Sequence, residues 1–120
     1  MKTLLLLLAL ALSGQPKFDT TIYDFGKIGV KDGPQSCTFN VTNTGSDDLL
    51  IYAVVSSCGC TNVDWTRSAI KPGEKGIISA TYSNEDGPYP FDKTITVYMS
   101  SSDKPTVLHI RGEVTNKKKK

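Results

Sequence analysis

A chain of 120 residues has room for about one domain, and its 22% charged and 38% apolar residues exclude a wholly disordered polypeptide. The formal charge of +2 belongs to the ends: without Lys2 and the four lysines 117–120, nine basic groups face twelve acidic ones, a net of −3. That balance excludes a basic nucleic-acid binder, and one His with three Cys leaves little for catalysis.

Residues 1–13 read as a signal peptide. Lys2 precedes nine consecutive apolar residues, 4–12, whereas a membrane-spanning helix needs roughly 20. Ala11 and Ser13 are small enough for a signal peptidase, and cleavage after Ser13 or Gly14 is expected. No later segment is apolar enough to span a bilayer. The mature chain is therefore expected to be periplasmic or secreted, where disulfides form.

Strands with turn punctuation follow. Ile22-Tyr23-Asp24-Phe25 alternates and is expected to stop at Gly26. In the segment 37–42, Cys37, Phe39 and Val41 share one face, read as the inward one. Asn43-Thr44-Gly45-Ser46-Asp47-Asp48 is a polar turn. The apolar run 49–55 reads as a central strand covered on both faces. Lys71-Pro72-Gly73-Glu74 is a turn with Pro at its second position. The segment 76–82 then brings Ile78, Ala80 and Tyr82 to one face. After a loop at 84–90, Ile95, Val97 and Met99 share a face of the segment 94–99, and a last strand covers 106–114. The fold class is all-β: one immunoglobulin-like β-sandwich of about seven strands over residues 21–115, followed by a basic tail at 116–120.

Several motifs recur in a recognisable order: Asn43-Thr44-Gly45, Ser57-Cys58-Gly59-Cys60-Thr61, Trp65, Ile70-Lys71-Pro72-Gly73-Glu74, the segment 91–97 and Gly112-Glu113-Val114. With them the chain resembles the bacterial "domain of unknown function 1573" family, related to Hydin-like immunoglobulin-fold modules, over roughly residues 23–114. The resemblance implies an exported envelope protein with no established activity. Val63 and Asp64 stand where the family commonly carries a proline, and Cys37 lies outside its pattern.

The three cysteines carry the only specific chemistry. Residues two apart in a strand lie on one side, about 6.6 Å apart, near the upper edge of what a disulfide spans. Gly59 would let the backbone tighten, so Cys58–Cys60, Cys37–Cys58 and Cys37–Cys60 all stay open, each leaving one thiol over. A structural disulfide, a redox pair and a soft-metal site are the three readings of Cys58 and Cys60. His109, the only imidazole, shares a face with Val107 and Arg111.

Trp65 is expected to pack beside the thiol pair, and Tyr89 and Phe91 to lie in a proline-bounded contact loop, Phe91 also being placed to pack a strand entry. Asn40-Val41-Thr42 fits a glycosylation sequon but falls inside a strand. There is no phosphate loop, metalloprotease motif or nucleophile elbow, and no catalytic, cofactor-binding or metal-ligand set is assigned. The expected function is a non-enzymatic exported module that binds another envelope or extracellular component, without nucleic acid and without a membrane span. The alternative is a thiol-redox or soft-metal-handling protein acting through Cys58 and Cys60.

Overall fold

Apolar residues at every second position make a strand that can bury one face, and four such segments supply most of the core. The computed structural model describes residues 15–116; the expected leader and the lysines 117–120 lie outside the described residues. One sheet has the order β1-β3-β6-β5, with β1 at Lys17–Phe18, β3 at Gln35–Thr42, β6 at Lys75–Tyr82 and β5 at Thr61–Trp65. The other has the order β2-β8-β7-β4, with β2 at Ile22–Gly29, β8 at Thr106–Thr115, β7 at Pro90–Met99 and β4 at Ile51–Ser56. All pairings are antiparallel except β2 with β8, and no helix occurs among the described residues. The expected immunoglobulin-like β-sandwich of about seven strands is what forms, with eight strands among the described residues; β1 and β5 are the ones that the sequence pattern does not mark.

The two inner faces meet as their periodicity dictates. Phe39, Val41, Ile78, Ala80 and Tyr82 from one sheet pack against Ile95, Val97, Met99, Leu108 and Ile110 from the other, all buried. At Lys71-Pro72-Gly73-Glu74 the Glu74 N–H donates to the Lys71 carbonyl at 2.9 Å, and Gly73 takes φ +82°, the left-handed position that such a turn requires at its third residue.

Two expectations are corrected. The strand at Ile22 does not stop at Gly26. A bulge between Asp24 and Lys27 absorbs the glycine at φ +72°, and pairing with β8 resumes through Gly29. The run 49–55 is not a central strand covered on both faces: β4 is the edge of its sheet, and Tyr52 and Val55 are 64% and 54% exposed. A second bulge explains the misleading pattern. Ile51 and Val54 both point inward although three residues apart, because the register shifts between Ile51 and Ala53.

Where the chain leaves the sheets, two buried asparagines satisfy its backbone. The Asn43 amide donates to the carbonyls of Asp47 (2.8 Å) and Ile70 (2.7 Å), and its oxygen accepts from the Gly45 N–H at 2.9 Å. Asn84, at φ +60°, donates to the carbonyls of Gly29 and Gly33, both at 3.0 Å. Among the described residues no buried side-chain nitrogen or oxygen lacks a partner. Replacing Asn43 by Ala leaves the Asp47 carbonyl and the Gly45 N–H without these partners, while the Ile70 carbonyl keeps the Leu49 N–H at 2.8 Å, so Asn43→Ala is expected to lower the unfolding free energy by about 2 kcal/mol, read from the urea midpoint at unchanged m-value.

Candidate functional site: the disulfide at the sheet crossing

β4 ends in one sheet at Ser56 and β5 begins in the other at Thr61, so residues 57–60 carry the chain across a gap of about 10 Å. Polar groups in such a crossing need partners, and the small hydroxyl residues provide them. The Ser57 N–H donates to the Thr94 carbonyl (2.9 Å), and the Thr94 N–H donates back to Ser57 Oγ (3.1 Å). The Ser56 hydroxyl donates to the Cys58 carbonyl (2.6 Å), which also accepts from the Thr61 N–H (3.2 Å). The Ser83 N–H donates to the Cys60 carbonyl at 2.8 Å.

That local turn settles the pairing of the thiols. It brings the Cα atoms of Cys58 and Cys60 to 5.1 Å, inside disulfide range, where an extended strand would hold them near 6.6 Å. Cys58 and Cys60 are bonded, and the pairings with Cys37 are not formed. The Cys60 N–H points at Cys58 Sγ from 3.1 Å, and the Thr61 hydroxyl lies 3.8 Å from Cys60 Sγ. Both cysteines are half-buried, and Cys60 packs against the core.

A third chain segment completes the cluster. A carboxylate oxygen of Asp86, in the loop between β6 and β7, lies within 4.8 Å of both sulfurs. The Tyr82 hydroxyl donates to Asp86 Oδ2 at 3.0 Å, and Lys93 Nζ lies 3.9 Å from the same oxygen. The Asp86 and Lys93 side chains are only 28% and 23% exposed. Tyr82 itself is fully buried and stacks on Phe91, with ring centroids 4.0 Å apart. Burial and the neighbouring carboxylate both push the Tyr82 phenol well above its ordinary range. Two thiolates and a carboxylate at these separations could hold a borderline or soft cation, but only after the disulfide is opened.

The other sequence candidates divide. Phe91 is buried, a core residue that seats Tyr82, whereas Tyr89 stays 45% exposed in the loop that carries Asp86. Trp65 does not pack over the disulfide. It ends β5, about 13 Å along the strand from Thr61, where it packs on the core with the Arg67 guanidinium 3.7 Å above its ring. His109 lies on the outer face of its sheet with Nδ1 2.9 Å from Asp92 Oδ1. Asn40 is spent on Asp19, its amide donating to Oδ2 at 3.0 Å. Cys37 is a buried free thiol on the inner face, and desolvation pushes it up to about 11.

A second feature borders the crossing. On the outer face of the β2-β8-β7-β4 sheet, Tyr52 and Val55 of β4, Tyr98 of β7 and Val107 of β8 are all exposed. Val55 and Val107 sit on opposite sides of Thr96, and Tyr98 faces Ala53. The free edge of β4 runs alongside.

With this geometry in hand, the comparisons are informative. The family model described as "Protein of unknown function (DUF1573)" matches residues 16–114. The chain belongs to this family. No curated protein matches the chain. Among solved structures, a protein of unknown function from Porphyromonas gingivalis W83 superposes with a TM-score of 0.71 at 16% identity, over 84% of this chain and 48% of that one. The PapD-like domain 7 of human CEP192 gives a TM-score of 0.65 at 8% identity, over 90% and 89% of the two chains. The secreted serine protease VesC from Vibrio cholerae gives 0.62 at 10% identity, over 90% of this chain and 24% of that one. The chain thus spans about half the length of the first of these structures and a quarter of the protease. At such identities the likeness is one of fold.

The family match does not point to Asp86, Tyr82 or Lys93, which sequence reasoning missed. Tyr82 and Asp86 stand four apart across the end of a strand, and no spacing rule links either to Cys58.

The raised Cys37 thiol has a consequence for pH. Its folded value of about 11 lies above the ordinary 9.0, so the unfolded state ionises first. Its contribution to stability is whole below pH 9 and fades as pH rises toward 11. The urea midpoint is expected to fall over that interval, less steeply in Cys37→Ala, and native Cys37 is expected to resist iodoacetamide at pH 8 until the protein unfolds.

Proposed function

We propose that this chain is an exported bacterial immunoglobulin-like module that binds another envelope or extracellular protein. The observation that carries the reading is the exposed apolar patch of Tyr52, Val55, Tyr98 and Val107 beside the open edge of β4. Contiguous apolar groups on a sheet face, next to unpaired strand N–H and C=O groups, are costly to leave in water and favour a docked partner. The segment 1–13, with its apolar run 4–12 read as the core of a signal peptide, supports export. Among the described residues no helix is long and apolar enough to cross a membrane. Tyr52→Glu with Val55→Glu places two charges on the patch without touching the core. Immobilised wild-type protein is expected to retain a specific partner from envelope extract, and the folded double variant to lose it at least tenfold. Equal retention by both would defeat this assignment.

A second reading, thiol exchange, is favoured by one observation: the bonded pair is Cys58 with Cys60, half-exposed at a chain crossing already fixed by hydrogen bonds. A disulfide closing so short a loop adds little by restricting the unfolded chain, since that effect grows with loop length. The pair is therefore expected to open with dithiothreitol and close again with oxidised glutathione while the circular dichroism spectrum stays native. Mass spectrometry of alkylated samples follows the cycle. A bridge that opens only on unfolding would leave the structural role alone.

A further inference from the structure

We propose that Asp86, held by the Tyr82 hydroxyl and Lys93, is the proton-handling partner of the Cys58–Cys60 pair, and that Cys58 is the sulfur exchanged with a dithiol substrate. This rests on the thiol-exchange reading above and gives it an order of events.

The geometry distinguishes the two sulfurs. Cys60 packs against the core, whereas Cys58 is outside that contact set, so an incoming thiolate reaches Cys58 more directly. The Cys60 N–H, 3.1 Å from Cys58 Sγ, stabilises negative charge on Cys58, the mark of a thiolate that attacks and leaves readily. Asp86 faces both sulfurs but is itself fixed from two further strands, by Tyr82 of β6 and Lys93 of β7. A carboxylate so held, within 4.8 Å of both sulfurs, is placed to pass a proton to or from the inner sulfur through one bridging water.

The electrons balance as follows. One thiolate of the dithiol attacks Cys58 Sγ and forms a mixed disulfide. The Cys58–Cys60 bond breaks, and its electron pair leaves on Cys60 Sγ, which takes a proton through Asp86 from solvent. The second thiolate of the substrate then attacks the substrate sulfur of the mixed disulfide. Cys58 departs as a thiolate facing the Cys60 N–H and is protonated from solvent. The substrate loses two electrons and two protons and becomes a disulfide, while Cys58 and Cys60 become thiols. In reverse, Asp86 removes the Cys60 proton so that Cys60 can release a substrate held on Cys58.

The charge on Asp86 also sets the acidity of the reduced pair. A negative group beside a thiol disfavours the thiolate and raises the pH at which it forms. The other titratable groups facing this cluster are Tyr82 from β6, Lys93 from β7 and, through Tyr82, Tyr89 of the intervening loop. From β4 and β5 the neighbours are the hydroxyls of Ser56 and Thr61.

The test uses the full chain. After reduction, the rate of iodoacetamide labelling at Cys58 and Cys60 is followed by mass spectrometry from pH 5 to 10 in wild type, Asp86→Asn and Tyr82→Phe. Asparagine keeps an acceptor for the Tyr82 hydroxyl but removes the charge. The labelling midpoint of Asp86→Asn is expected to move down by about one pH unit, roughly a tenfold faster reaction at pH 7. Tyr82→Phe, which loosens Asp86 without removing it, is expected to give a smaller shift. With oxidised glutathione as probe, Cys60→Ser is expected to trap a mixed disulfide on Cys58 at least ten times faster than Cys58→Ser traps one on Cys60. Superimposed pH profiles for wild type and Asp86→Asn would overturn the role of Asp86, and faster trapping on Cys60 would overturn the order of the sulfurs. Both outcomes differ from failure of the exchange reading itself, in which the pair would not open in the folded wild type.

Discussion

The backbone has to change sheets repeatedly, and the rest of the structure depends on how its polar groups are satisfied where it does so. Along the chain β1 to β5 alternate between the two sheets, and β6 to β7 crosses once more. Each crossing takes N–H and C=O groups off the ladders at the rim of an apolar core, where an unpaired group costs a few kcal/mol. The fold answers with short polar side chains at the crossings: Asn43 after β3, Ser56 and Ser57 at the end of β4, and Asn84 after β6. The alternation of apolar residues says which faces meet. These residues decide where the chain may leave one face for the other.

The disulfide acquires its meaning from that constraint. Residues 57–60 are already tied to β7 through Ser57 and Thr94 and to the end of β6 through Ser83 and Cys60. A loop closed around the single residue Gly59, on top of those bonds, removes little further freedom. Cys37, by contrast, sits in register with Ala80 on the inner face, in the interior of the sandwich rather than at its rim, so its thiol belongs to the core and stays out of the pair. The odd count of cysteines in the sequence thus resolves into one buried packing group and one half-exposed bond at a rim.

How much of this was legible follows from what a period-two pattern encodes. The buried faces of β3, β6 and β7 are readable because Cys37, Phe39 and Val41, Ile78, Ala80 and Tyr82, and Ile95, Val97 and Met99 recur at every second position. β4 was misread for the converse reason: with the bulge, Ile51 and Val54 point inward while Tyr52 and Val55 point out, and a continuous apolar run does not tell a strand covered twice from one exposed on its outer face. β5 was missed because Asn62 and Asp64 leave only Val63 and Trp65 to mark it beside the thiol motif, and β1 because two residues carry no period. The thiol pair could be seen in the sequence. Asp86 could not, because its place depends on Phe91 stacking on Tyr82 and on Tyr82 delivering its hydroxyl to the loop that follows.

The binding and exchange readings share one piece of geometry and so need not compete. β4 presents Tyr52 and Val55 outward, keeps one edge unpaired, and ends at Ser56, two residues before Cys58. A segment laid against that edge and patch would run toward the crossing, where Cys58, unlike Cys60, is not packed against the core, and where the loop between β6 and β7 brings Tyr89 and Asp86. A cysteine carried on such a segment would meet Cys58 at an effective concentration set by the docking rather than by bulk solution, commonly in the millimolar range. Exchange would then be selective without a deep pocket, because recognition would lie along the strand and the chemistry at its end. Under the exchange reading, a fold with one imidazole could act on a partner, because an exchange of sulfur bonds asks mainly for positioning and one proton relay.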